Sequence, residues 1–183
     1  MSLGPVATKQ ALVEGVPISI EISPSEGLTT QDSIDRLSYY VCKSHVTLLV
    51  CSLGARSTVD VIEAVYHRLR EMPGGKGKRV QMCLVATKLD VIDFGQNEID
   101  FADVQEIARN LGICCVGTSA KTGTGVEDAF LEPIRIVHRT RTPDITRGMS
   151  EKPVTKKKKE HKDGFLTRLL CCGLGVVDHG DET

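Results

Sequence analysis

Apolar residues in this chain recur at two periods, and the alternation of those periods predicts the elements. Lys9 to Val13, the turn Glu14-Gly15 and then Val16 to Ile22 read as a hairpin. Val16, Ile18, Ile20 and Ile22 alternate with Pro17, Ser19 and Glu21, the period of a half-buried strand. Pro17 has no N–H for a ladder, which points to an edge or an outward-facing position. Val46 to Cys51, Val80 to Ala86 and Ile113 to Val116 are continuous apolar runs, the pattern of buried strands. Helical stripes fall between and after them. Ser57-Thr58-Val59-Asp60 has capping-box spacing and precedes Val61, Ile62, Val65 and Leu69. Asp100 precedes Phe101, Val104, Ile107, Ala108 and Leu111, with Gly112 as the stop. Thr124-Gly125-Val126-Glu127 opens a last helix bearing Val126, Ala129, Phe130, Ile134 and Val137, and Pro133 is expected to kink it. Asp32 to Val41 is a further helix candidate. Strands alternating with helices from Val46 to His138 predict an α/β domain with parallel strands and right-handed crossovers.

Composition changes this picture at one end only. The chain has 183 residues, 40% of them apolar, enough for one domain with extensions. Residues 1–138 carry 13 Lys+Arg against 17 Asp+Glu, a net of −4, whereas residues 139–168 carry 10 against 4, a net of +6. A basic segment beside an acidic domain suggests an electrostatic tail and argues against a nucleic-acid-binding fold. The seven cysteines include no C-x-x-C, and no zinc site is expected. Cys42, Cys51, Cys83, Cys114 and Cys115 lie in or beside apolar runs and read as buried, reduced thiols of a cytoplasmic protein. The N-terminus lacks the pattern of a signal peptide, and no apolar run approaches about 18 residues, so no membrane span is expected.

Candidate chemistry sits at two predicted strand ends. Val80 to Ala86 breaks into Thr87-Lys88-Leu89-Asp90, and Ile113 to Val116 into Thr118-Ser119-Ala120-Lys121. Ligands of open α/β sheets bind just beyond such ends. A carboxylate at Asp90 could accept from the ring N–H and exocyclic amine of guanine, and a lysine stem could lie along the base.

These two motifs, in this order, resemble the guanine-specificity loops of Ras-superfamily small GTPases. Thr87 stands where Asn is usual, which looks like the Rho branch; SAKTGTGVEDAF, Ser119 to Phe130, looks more like Rab or Ras. The resemblance runs from about Lys9 to His138 and implies that Thr87, Lys88, Asp90, Ser119, Ala120 and Lys121 hold the base of GTP or GDP. It also implies effector or regulator proteins as partners, and a switch role in signalling. Lys9 to Ile22 looks like the family's second and third strands, and Asp35-Arg36-Leu37-Ser38-Tyr39 like the helix after the second switch.

The departures concern the phosphates. Where the family has Asp-x-x-Gly, this chain has Pro24-Ser25-Glu26-Gly27: the glycine is kept, but proline has no carboxylate to serve magnesium. Leu28 replaces the glutamine that orients the attacking water. The family's G-x-x-x-x-G-K-[ST] loop, which cradles the phosphates, has no counterpart. Gly74-Gly75-Lys76-Gly77-Lys78 has the wrong spacing for it. No catalytic or metal residue is therefore assigned, and weak or no nucleotide binding, without useful hydrolysis, is expected.

The expected fold is a P-loop GTPase-like α/β domain, residues 9–138, lacking its first strand, P-loop and first helix. Residues 1–8 and 139–183 read as disordered. In the family the first strand lies between those resembling Val16–Ile22 and Val46–Cys51. Either these two pair directly, or a partner fills the gap, or the chain is a truncated copy of a fuller GTPase. In the tail, Lys156 to Lys159 precede Phe165, Leu166, Leu169, Leu170 and Cys171-Cys172, a pattern suited to an anionic membrane face with lipid on Cys171 or Cys172. GLGVVDHGDET after the cysteines disfavours prenylation and leaves palmitoylation. Three functions remain open: a guanine-nucleotide switch, a non-catalytic module binding a protein through Lys9–Ile22 and Asp32–Val41, and a membrane adaptor held by its tail.

Overall fold

The structure is a computed structural model and describes residues 6–25, 41, 43–71, 80–141 and 165–173. Its strands are β1 (Ala7–Val13), β2 (Val16–Ser25), β3 (Val46–Ser52), β4 (Gln81–Thr87), β5 (Cys114–Gly117) and β6 (Phe165–Gly173). They form one sheet in the order β1-β2-β6-β3-β4-β5. Helices α1 (Ser57–Asp60), α2 (Ile62–Glu71), α3 (Phe101–Leu111) and α4 (Val126–Arg141), with a 3₁₀ segment at Leu89–Phe94, complete the described elements. β1 and β2 are antiparallel, and every other neighbouring pair is parallel. The α/β reading and its mostly parallel sheet are thus correct.

The hairpin turns at Glu14 (φ 50°) and Gly15 (φ 81°), the left-handed pair that a two-residue connection needs. Ala7 and Thr8, expected to be disordered, belong to β1. Ile18 and Ile20 are buried, as their alternation predicts, while Val16 is half exposed. β2 is an interior strand, so of the two readings of Pro17 the edge placement is wrong and the outward-facing position holds. Pro17 is tolerated because β6 pairs only from Ile18 onward, so the missing N–H falls outside that ladder.

The helical stripes pack as their spacing predicts. Ile62, Val65 and Leu69 of α2 and Val104 and Ala108 of α3 are buried on one face of the sheet; Ala129, Ile134 and Val137 of α4 are buried on the other. Val61 is off the stripe and 40% exposed. The capping box at Ser57 does not form. Instead the Thr58 hydroxyl donates to Ala55 O at 2.7 Å and accepts from Ser52 N at 2.9 Å, tying α1 to the end of β3. α4 is continuous through Pro133. Of the Asp32–Val41 candidate only Val41 is among the described residues, helical and buried in the core.

The largest correction lies at the centre of the sheet. Phe165–Gly173, expected to be part of a disordered tail, forms β6 and occupies the gap between β2 and β3. Ile18–Ser25 of β2 pair with Phe165–Cys172, and Val46–Val50 of β3 pair with Leu169–Gly173. β2 and β3 therefore do not pair with each other; the chain's own tail supplies the strand between them. The reason is a general one: two adjacent parallel edges expose backbone N–H and C=O groups that need partners, and an apolar segment can satisfy both. Leu169 is buried between them.

The fit is imperfect at one atom. Thr167 is 1% exposed, and its hydroxyl has no hydrogen-bond partner. An unpaired buried hydroxyl costs about 1–3 kcal/mol, and valine has nearly the same shape without it. Thr167→Val should raise the thermal midpoint by about 2–4 °C for each kcal/mol recovered. A calorimetric scan showing no rise would mean that the hydroxyl is satisfied in solution.

Candidate functional site

Because β3, β4 and β5 run parallel, their carboxyl ends reach the same rim of the sheet, where an α/β fold places its ligand. Thr87 closes β4. Its hydroxyl donates to Cys51 O at 2.7 Å, and its carbonyl accepts from Leu53 N at 3.1 Å, so the tip of β4 is pinned to that of β3. Lys88 follows in the left-handed conformation (φ 62°, ψ 40°) and turns the chain sharply into the 3₁₀ segment. Its exposed side chain passes Gly54, where a Cβ would stand 3.8 Å from Lys88 Cδ.

The second loop is stitched to the first. Thr118 N donates to Ala86 O at 2.7 Å, and Leu89 N donates to Thr118 O at 2.9 Å. Ser119 is 1% exposed, and its hydroxyl donates to Asp90 Oδ1 at 2.5 Å. Ser119 Oγ also accepts from Thr122 N at 3.2 Å. Ser119 N donates to Thr124 O at 2.9 Å and Gly123 N to Ser119 O at 2.8 Å, which folds the loop on itself. Gly125 (φ 66°) completes it: a Cβ there would lie 2.1 Å from Gly117 O.

Thr87, Lys88 and Asp90 are therefore brought together with Ser119, Ala120 and Lys121, the latter two exposed at the rim. Two contacts were not read from the sequence. One is the Ser119–Asp90 bond; the motif spacing had aimed both residues at a base. The other is Lys121 Nζ, 5.0 Å from the ring centroid of Phe94, which is itself 65% exposed. An aromatic side chain inside the polar run Asp93 to Asp100 was the available signal.

The electrostatics follow from these contacts. The hydrogen bond from Ser119 holds the Asp90 carboxyl below its ordinary value of 3.8, and the charges of Lys121 and Lys88 add to it. The carboxylate is thus kept charged and acceptor-only at neutral pH, the state that can accept from two N–H groups of a purine. Burial pushes the Cys171 thiol up to about 11. Cys172 follows it in β6, with its side chain outside the described residues.

Other sequence candidates do not join this rim or lie beyond view. Gly27, Gly74 to Lys78 and Lys156 to Lys159 are outside the described residues. Pro24 is exposed near the end of β2 and paired with Cys171, with no carboxylate to offer a cation. Among the described residues no cluster of three or more His, Cys, Asp or Glu side chains could hold a metal ion, and no helix is long and apolar enough to cross a membrane.

Sequence comparison agrees with this geometry. The Ras family matches residues 6–139. The chain is 27% identical over 136 residues to Ras-like protein rasW of Dictyostelium discoideum, covering 74% of this chain and 60% of that protein. It is 23% identical over 141 residues to GTP-binding protein Di-Ras2 of Macaca fascicularis, and equally to that of Mus musculus, covering 77% of this chain and 68% of each relative. The match thus spans 60% of the length of the first relative and 68% of the other two.

Two outcomes test the site. In Ser119→Ala the Asp90 carboxyl should titrate closer to its ordinary value, seen by carboxyl-detected NMR. The sign is that of a depressed acid: its contribution is present above the unfolded value and is lost as pH falls through the folded one. Gly125→Ala should destabilise the fold by about 1–3 kcal/mol from the left-handed backbone alone, with the clash added, in urea melts.

Proposed function

This chain belongs to the Ras family, and on that premise we propose that it is a small GTPase-like protein that recognises the guanine base and neither binds magnesium tightly nor hydrolyses GTP usefully. The observation that carries this reading is the Asp90 carboxylate, fixed by Ser119 and flanked by Lys88 and Lys121. Asp90 accepts from the ring N–H and the exocyclic amine, the stems of Lys88 and Lys121 flank the ring, and the backbone N–H near Ala120 donates to the guanine carbonyl. Such a set rejects adenine because it leaves the carboxylate facing mismatched groups. Phosphate contacts are what give the family its affinity and its chemistry. Pro24 at the magnesium-ligand position and Leu28 at the water-orienting position support their loss here.

The test is competition against a fluorescent guanine nucleotide, with and without magnesium, using guanosine and adenosine. Guanosine should compete at least about tenfold better than adenosine, as expected when one polar pairing discriminates. Asp90→Ala should erase the difference, and magnesium should change little. Tight magnesium-dependent binding, or equal competition by the two nucleosides, would overturn the proposal.

A second reading is favoured by the exposed side of the hairpin. β1 is an edge strand, and Val6, Leu12 and Val16 are 51%, 69% and 37% exposed around it. An edge of that kind adds a strand from a protein partner, which suits an effector or regulator. Membrane attachment through Lys156 to Lys159 with a palmitoyl chain on Cys171 or Cys172, at the cytoplasmic face, is compatible with either reading. It requires β6 to leave the sheet, since Cys171 packs against the core. If acylation occurs, hydroxylamine should release the protein from membranes; unchanged fractionation would refute it.

A further inference from the structure

The sheet is divided into two halves that only β6 joins by hydrogen bonds. One half is the β1–β2 hairpin; the other is β3, β4 and β5. The two cores divide differently. Among the described residues, the buried members of the core between the sheet and α2 and α3 all lie between residues 41 and 113. The core under α4 holds Val13, Ile18, Ile20 and Leu169 together with Val46, Leu48, Cys83 and Val85. Removing β6 would therefore open the second core at the seam, where Leu169 is buried. The ties that assemble the base-side rim, Thr87–Cys51, Leu89–Thr118 and Ser119–Asp90, all lie within the second half.

β6 is also weakly committed to its place. It buries the unpaired Thr167 hydroxyl in the seam. Among the described residues two further hydroxyls, Ser25 and Ser52, at the ends of β2 and β3 that flank it, are buried without partners. The Thr167 hydroxyl lies on β6 itself and subtracts from the stability of the docked strand.

We propose that β6 is a releasable strand, with a docked state in which Phe165–Gly173 closes the seam and hides Cys171 against the core, and a released state in which β3–β5 and their rim stay folded while Cys171 and Cys172 become open to thiol chemistry. Local openings of this kind occur at free energies below that of global unfolding. The device makes strand docking and modification of these thiols mutually exclusive. It is independent of whether guanine binds.

The experiment is pulsed alkylation of the full chain with iodoacetamide, in which the thiolate displaces iodide and a thioether forms, read peptide by peptide by mass spectrometry. Cys51 in β3 and Cys83 in β4, both buried, report global unfolding. Cys171 should label at least about tenfold faster than these two and at least about tenfold slower than a free thiol, as a sub-global opening requires. Leu169→Lys should bring Cys171 to the free-thiol rate while Cys51 and Cys83 stay at least about tenfold slower than Cys171. Thr167→Val should slow Cys171 several-fold, with Cys51 and Cys83 slowed by no more than the same factor and still at least about tenfold slower than Cys171. Labelling of Cys171 in step with Cys51 and Cys83, in the unchanged chain or in either variant, would show one cooperative unit and overturn the proposal. Labelling at the free rate in the unchanged chain would overturn it from the other side, because the strand would then not dock.

Discussion

The hydrogen bonding of β6 to both β2 and β3 is the constraint on which the rest of this architecture depends. Parallel strands cannot sit at a distance from one another; each N–H and C=O left facing the gap must find a partner or remain in water. With the segment between them absent from its usual place in the chain order, β2 and β3 could have closed on each other. That closure would have shifted the hairpin by a full strand spacing, about 4.8 Å, relative to α4. Glu14 would then lose its position against the end of α4, where Arg139 Nε donates to its carboxylate at 2.6 Å and His138 Nδ1 lies at 3.3 Å. Filling the gap keeps the hairpin under α4, and Val13, Ile18 and Ile20 keep their core.

On the proposed reading, the division of the sheet is also a reason for base recognition without phosphate chemistry. The base-side rim is built by β3, β4 and β5 and by short loops that bond to one another, so it needs nothing from the hairpin or the tail. Phosphate and magnesium chemistry in the family needs the loop after the central strand and the acid beyond the second strand of the hairpin. Here the central strand is β6, reached from the opposite end of the chain, and the acid is Pro24. A rim assembled by local contacts survives changes that a site assembled from distant segments does not.

What the sequence made legible was local periodicity. Ile18 and Ile20 alternate, Ile62, Val65 and Leu69 step by a helical turn, and Met82 to Ala86 run apolar without interruption; each pattern is fixed by neighbours within a few residues. The two rim motifs were legible for the same reason, each being a strand end followed by a polar loop. β6 was not. Phe165, Leu166, Leu169, Leu170 and the cysteines form as good an apolar run as β5, but they follow a stretch of lysines and fall where a basic tail was expected. Only the unmet demand of β2 and β3, a tertiary fact, gives that run a place. Thr58 capping in place of Ser57 is the same lesson at smaller scale: the hydroxyl that wins is the one that can also reach Ser52 N on β3.

Left-handed backbone marks where side chain matters more than conformational ease. Among the described residues only Glu14 and Lys88 adopt positive φ without being glycine. Such a conformation costs a non-glycine residue about 1 kcal/mol, and glycine would remove the cost at either place. Both side chains are engaged. Glu14 ties the hairpin turn to Arg139, and that contact holds its carboxyl below the usual carboxylate range. Lys88 sits between the pinned tip of β4 and the Asp90 carboxylate, with its stem beside Gly54. A glycine at position 88 would turn the chain as well but would leave Asp90 with one flanking cation in place of two. If the rim holds a base as proposed, the strain at Lys88 is the cost of keeping that side chain there.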